Sequence, residues 1–116
     1  PDLEVHGDAN AKLLLIGWGG TYGSIRAACE RARRKGQKVA WAHLRHLNPM
    51  PKNTEAVLKK FPKVLVPELN SGQLCWLLRA KYLVPAEGLN KVQGKPFLVS
   101  EIEAAIEKAL GLLPVI

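Results

Sequence analysis

The sequence predicts an open α/β domain three layers deep, with a mostly parallel sheet and helices on both faces. Short apolar runs at Leu13–Ile16, Val39–Leu44 and Val64–Val66 are each followed by a polar or glycine-rich loop and then by a segment of helical periodicity. Continuous apolar runs of this length suit strands buried on both faces, as in parallel sheets. Strand and helix alternate four times without an internal sequence repeat, the pattern of right-handed βα crossovers.

Taken in order, Pro1–Asn10 is polar and acidic and is expected to be a linker, or a strand crossing from a preceding domain. The domain proper is expected to span residues 11–116. Pro1 stands where an initiator Met is usual, so the sequence is expected to be processed or cut from something larger. Lys12–Gly17 is the first strand. The glycines Gly17, Gly19, Gly20 and Gly23 then make a tight turn into a helix over Thr21–Lys35. Ile25, Ala28, Cys29 and Ala32 give that helix one apolar stripe. Arg31, Arg33, Arg34 and Lys35 fill its last turn and Gly36 follows, which are ordinary stop signals. We read the cations there as solvated capping charge.

Lys38–Leu44 is the second strand. Pro49 and Pro51 hold the next loop extended. Asn53 or Thr54 is expected to cap a short helix ending at Phe61. Lys63–Leu69 is the third strand, with Pro67 expected at its end because proline lacks the ladder donor. Ser71 is expected to cap a helix over Gly72–Lys81, and Tyr82–Val84 to be a fourth strand. Ala86–Phe97 reads as a loop holding a short antiparallel segment at Leu89–Val92. Ser100 and Glu103 form a capping box that opens the last helix. Its core face is Ile102, Ala105, Ile106 and Ala109, and Gly111 ends it. The tail Leu112–Ile116 is apolar and is expected to pack on a neighbour.

The length of 116 residues suits one domain. No apolar run approaches the roughly 20 residues of a membrane helix. Cys29 and Cys75 sit inside helical patterns, as buried reduced thiols of a cytoplasmic protein do. The net charge is +7 and uneven: Ala9–Lys63 holds 12 basic residues against Glu30 and Glu55, whereas Val64–Ile116 holds five against five. The basic half favours anionic partners.

In a parallel sheet the loops after the first three strands emerge at one edge, where ligands of open α/β sheets bind. They bring together Trp18, Gly19, Gly20, Thr21, Tyr22, Arg45, His46, Asn48, Glu68 and Asn70. The glycines miss the dinucleotide fingerprint: Tyr22 stands where the third glycine belongs, and His43 lies near the expected acid. Gly20 is followed by Thr21, not by the Lys of a phosphate loop. His46 and Glu68 could share a proton, and Arg45 and Glu68 could pair, but no nucleophile or metal-ligand cluster accompanies them. Aromatic residues are sparse in the basic half and no nucleic-acid recognition module is visible. A free-standing phosphate- or nucleotide-binding module, or a basic domain for nucleic acid, stays open at this point.

Four motifs carry a resemblance: GWGGTYGSIR (Gly17–Arg26), LRHLNPMPKN (Leu44–Asn53), VPELNSGQL (Val66–Leu74), and LRAKYL with GLNKVQGKPF (Leu78–Leu83, Gly88–Phe97). In this order they resemble the C-terminal domain of the alpha subunit of 2-oxoacid:ferredoxin oxidoreductases, in particular the 2-oxoglutarate type. Met50, where Leu is usual, and Ser71 before Gly72 depart mildly from the pattern. The resemblance implies a transketolase C-terminal-like fold. It also implies an enzyme that oxidatively decarboxylates a 2-oxoacid with coenzyme A and reduces ferredoxin. Thiamine diphosphate, Mg and iron–sulfur clusters would belong to the whole enzyme and lie on other domains and the beta subunit. This domain would supply no catalytic residue and bind no cofactor alone. Gly19, Gly20, Thr21, Tyr22, Arg45, His46, Asn48, Glu68, Asn70 and Lys91 would be its contact or anion-binding residues. No membrane and no specific nucleic acid are expected as partners.

Overall fold

A computed structural model describes residues 2–45, 50–69, 73–91 and 97–111; of Leu69, Gln73, Asn90 and Lys91 it describes the backbone alone. The elements are β1 (Val5–Gly7), β2 (Leu13–Trp18), α1 (Tyr22–Arg34), β3 (Ala40–Leu44), α2 (Thr54–Lys60), β4 (Lys63–Leu69), α3 (Gln73–Tyr82), β5 (Glu87–Lys91) and α4 (Val99–Ala109). The five strands form one sheet in the order β1-β3-β2-β4-β5. All pairs are parallel except β1 with β3.

Side chains alternate across a strand, and β2 divides its apolar run between two cores accordingly. Leu14 and Ile16 pack with Leu58, Leu74 and Leu78 of α2 and α3. Leu13 and Leu15 pack with Ile25, Ala28, Cys29, Ile102 and Ile106 of α1 and α4. The result is the three-layer architecture that the alternation of elements predicts.

Several local expectations change. Val5–Gly7, inside the stretch expected to be a linker or a strand crossing from a preceding domain, is the antiparallel edge strand of this domain's own sheet. Asn53 caps nothing with its side chain. Its amide instead grips the backbone of Leu3, accepting from the Leu3 N–H at 2.7 Å and donating to the Leu3 carbonyl at 3.0 Å. Thr54 Oγ1 donates to the Pro51 carbonyl at 2.7 Å.

Pro67 lies two residues inside β4, not at its end; the β2 ladder has already stopped at Leu65, so the missing donor breaks no bond to β2. Tyr82 ends α3, where a fourth strand was expected. Leu83 then takes the left-handed conformation, φ 56°, and stops the helix. The next strand is Glu87–Lys91, which pairs parallel with β4; the antiparallel segment expected at Leu89 is absent. A Tyr-Leu-Val run favours strand by propensity, but α3 carries the chain past it. The Glu-Gly-Leu-Asn-Lys strand owes its place to backbone pairing at the sheet edge.

The last helix begins at Val99, so Ser100 lies within it and cannot be its cap. Half of the reciprocal arrangement survives: the Leu98 N–H donates to Glu101 Oε1 at 2.7 Å. Ser71 lies outside the described residues.

Candidate functional site at the carboxyl edge

The chain leaves β2 for β3 through α1 on one face, and leaves β4 for β5 through α3 on the other. β2 and β4 are neighbours, so their carboxyl ends mark the point where the winding reverses. Ligands of open α/β sheets bind in the crevice there. In this chain the crevice is bridged by Glu68, which is 2 % exposed. Its Oε1 accepts the Leu74 N–H at 2.5 Å and the Trp18 indole N–H at 3.1 Å. Its Oε2 accepts the Cys75 N–H at 3.0 Å.

A carboxylate placed against the first turn of α3 meets both the unpaired N–H groups and the positive end of the helix dipole. Glu68 therefore fills, with the chain's own anion, the place where a phosphate would otherwise dock. Among the described residues Glu68 makes no ion pair with Arg45, and the proton sharing considered for His46 lies outside the described residues. The signal available in sequence was a lone acid at the end of an apolar strand, just before a helix. Its partners were not legible: two are backbone groups, and the third, Trp18, lies 50 residues away.

The corner between β2 and α1 is built differently. Gly17 is where strand and helix touch; a Cβ there would lie 2.4 Å from Ile25 Cδ1 and 2.8 Å from Thr21 Oγ1. Gly19 turns the chain with φ 65°. Thr21 is buried, and its hydroxyl donates to the Trp18 carbonyl at 3.1 Å. Tight packing thus explains Gly17 alone. Gly20 and Gly23 would present a Cβ to open space.

At the end of β3, His43 lies beside Gly17 in the ladder. Its ring tilts against Tyr22 with centroids 5.0 Å apart. Burial, and then the Arg45 guanidinium, hold its imidazole below the ordinary value of 6.5. His43 Nδ1 is buried with no hydrogen-bond partner among the described residues. Arg45 is exposed.

The structure therefore gathers Gly19, Gly20, Thr21, Tyr22, Arg45 and Glu68 along one edge of the sheet. His46, Asn48 and Asn70 lie outside the described residues. Lys91 closes β5, paired with Leu69, so its backbone reaches the same edge.

The α1 cations do more than cap. Arg33 pairs with Asp8 at 3.1 Å. Lys35 pairs with Glu103 at 2.7 Å and Glu107 at 3.5 Å, joining α1 to α4. The cysteines are buried and unpaired, Cys29 in one core and Cys75 in the other, so the sheet lies between them. Burial, with the Glu30 carboxylate adding to it, pushes the Cys29 thiol up to about 12. Burial raises Cys75 as well. Among the described residues no three His, Cys, Asp or Glu side chains gather as metal ligands would, and no helix is long and apolar enough to cross a membrane.

Residues 11–102 match the family model described as pyruvate:ferredoxin oxidoreductase core domain II. The chain belongs to that family. This core domain II is 57 % identical over 112 residues to the 2-oxoglutarate oxidoreductase subunit KorA of Mycobacterium tuberculosis; the match covers 96 % of the chain and 17 % of KorA. The domain is also similar to a solved 2-oxoglutarate:ferredoxin oxidoreductase from Magnetococcus marinus, with 2-oxoglutarate, coenzyme A and succinyl-CoA bound. That likeness has a TM-score of 0.86 at 32 % identity, over 93 % of this chain and 19 % of the other. A split-gene transketolase, in an inactive β4 tetramer, matches with a TM-score of 0.67 at 15 % identity, over 94 % of this chain and 42 % of the other. That last likeness concerns the fold alone, and it agrees with the expected transketolase C-terminal-like architecture. The chain thus spans less than a fifth of the length of these oxidoreductase relatives.

Proposed function

We propose that this domain is part of the alpha subunit of a cytoplasmic 2-oxoacid:ferredoxin oxidoreductase of the 2-oxoglutarate type, and that its work there is structural. The enzyme would decarboxylate a 2-oxoacid oxidatively, transfer the acyl group to coenzyme A and reduce ferredoxin. The observation that carries this reading is the 57 % identity to KorA across 96 % of the chain. The domain's own chemistry agrees with a supporting role. Its buried carboxylate is spent on a helix terminus and its thiols are held protonated.

Thiamine diphosphate with Mg would supply the electron sink in the whole enzyme, and iron–sulfur clusters would carry the electrons on. These groups would lie on other domains and the beta subunit, as the resemblance implies. What this chain contributes is an edge. Gly19, Gly20 and Tyr22, with Arg45, His46, Asn48, Asn70 and Lys91, pack on the neighbouring domains of the alpha subunit and on the beta subunit. Arg45 or Lys91 meets an anionic group of substrate or coenzyme A. Thr21 and Glu68 are buried and organise the edge from within.

The test is Arg45→Ala in the complete enzyme. The expected result is impaired subunit assembly or slower 2-oxoglutarate turnover with unchanged thermal stability of this domain. Unchanged assembly and kinetics would refute the contact.

A further inference from the structure

Helix α3 buries one apolar face and leaves a large apolar side chain on the other, with a second just past its end. Leu74, Cys75 and Leu78 are buried against the sheet. Trp76 lies within the helix and is 70 % exposed, and Leu83, the residue just past its end at which it stops, is 86 % exposed. Ala80 lies between them and is exposed. Leu83 also forms the lip of a cleft of about 200 Å³ walled by Leu58, Phe61, Pro62, Val64, Val84 and Pro85. Exposed large apolar side chains beside an apolar cleft mark a contact site.

The backbone supplies a second, independent observation. Leu83 holds φ 56°, the left-handed conformation that glycine adopts freely and branched side chains resist. Its N–H closes the helix on the Arg79 carbonyl at 3.0 Å, the helix stop usually given to glycine. Leucine at this point strains the chain while leaving its side chain in solvent.

The rim selects the occupant. Lys59 lines the cleft, and Lys60, Arg79 and Lys81 are exposed in the last turns of α2 and α3. Among the described residues only Lys59 has a carboxylate partner, Glu55 at 2.7 Å. A second copy would set these cations against their own like, which opposes self-association through this face. An occupant with an apolar centre and an acidic border fits. The matched region is 17 % of KorA, so in such a subunit most of the polypeptide is tethered nearby at an effective concentration on the order of millimolar.

We propose that the Trp76–Leu83 face and its cleft are covered by another segment of the same alpha subunit, one presenting apolar side chains bordered by Asp or Glu. This rests on the reading that the chain is one domain of such a subunit.

The test compares alkylation of Leu83→Cys by a maleimide in the 116-residue chain and in the complete alpha subunit. Cys29 and Cys75 are buried and give little background. Protection of at least about tenfold in the subunit alone is the expected result. Equal rates, or protection that appears only when another subunit is added, overturn the assignment. So does protection in the isolated chain accompanied by dimerisation. Trp76→Cys is the second reporter on the same face. Leu83→Gly adds a split of signs: it relieves the left-handed strain, raising the Tm of the isolated chain by a few degrees, and it lowers the protection of Trp76→Cys in the complete subunit. Turnover of 2-oxoglutarate by the unmodified enzyme is read separately, so a wrong substrate class and an uncovered face give different results.

Discussion

The two βα corners that follow β2 and β4 look alike in sequence and are built in opposite ways. Each is an apolar strand, a short polar loop and an amphipathic helix. At the second corner the chain turns a carboxylate inward and closes the helix end with it: Glu68 holds two N–H groups of α3 and the indole of Trp18. At the first corner no side chain caps the helix, and the turn is made by glycines, three of which face open space. One corner is finished within the domain. The other leaves backbone accessible to a neighbour. An α/β corner is thus defined less by its glycines than by whether the chain brings its own counter-charge.

The largest expected effect comes from unmaking the finished corner. Glu68→Ala leaves two buried donors and one partly buried donor without an acceptor and is expected to cost about 3 kcal/mol of unfolding free energy; Glu68→Gln, which keeps one oxygen, is expected to cost about half as much. Urea midpoints at constant m check both. A loss below about 1 kcal/mol for the alanine variant would show that water replaces the carboxylate at no great cost.

Next come the glycines of the open corner. Gly17→Ala drives a methyl into Ile25 and Thr21 and is expected to destabilise by about 1–3 kcal/mol. Gly20→Ala meets nothing within 4 Å and is expected to stay within about 0.5 kcal/mol of the parent. Thermal melts of the pair sharpen the contrast between packing glycine and surface glycine, and equal losses would abolish it.

The smallest effects are electrostatic. His43 is held below its ordinary 6.5 in the folded state, so the unfolded chain takes the proton first. Its contribution is complete above pH 6.5 and drains away as pH falls toward the depressed folded value. His43→Phe should flatten that part of the stability–pH curve. Glu103 is held below 4.5 chiefly by its bond to Lys35. Its contribution is present above pH 4.5 and is lost as pH falls through the lowered value. Lys35→Met should remove that slope, and added salt should imitate the change.

The layers were legible because they follow from repetition. The stripe Ile25, Ala28, Cys29, Ala32 is fully buried, as its spacing required. The run Leu13–Ile16 is buried on both sides, as its lack of polar alternation required. The edge strands were not legible in the same way. β1 and β5 hold three and five residues with little apolar pattern, and they exist because a neighbouring strand offers backbone partners. The site was half legible. Convergence of Gly19, Gly20, Tyr22 and Arg45 on one edge follows from topology alone. The fate of Glu68 depended on backbone donors and a distant indole, and neither leaves a mark in local sequence.

Gly17 has one further consequence. Because β2 is greasy on both sides, a slip of one residue along its neighbours would expose no polar group and would go unpunished by hydrophobicity. Such a slip would carry the bulk of Ile16 or Trp18 into a gap that cannot admit even a methyl. The missing side chain thus acts as the notch that keeps the central strand in register.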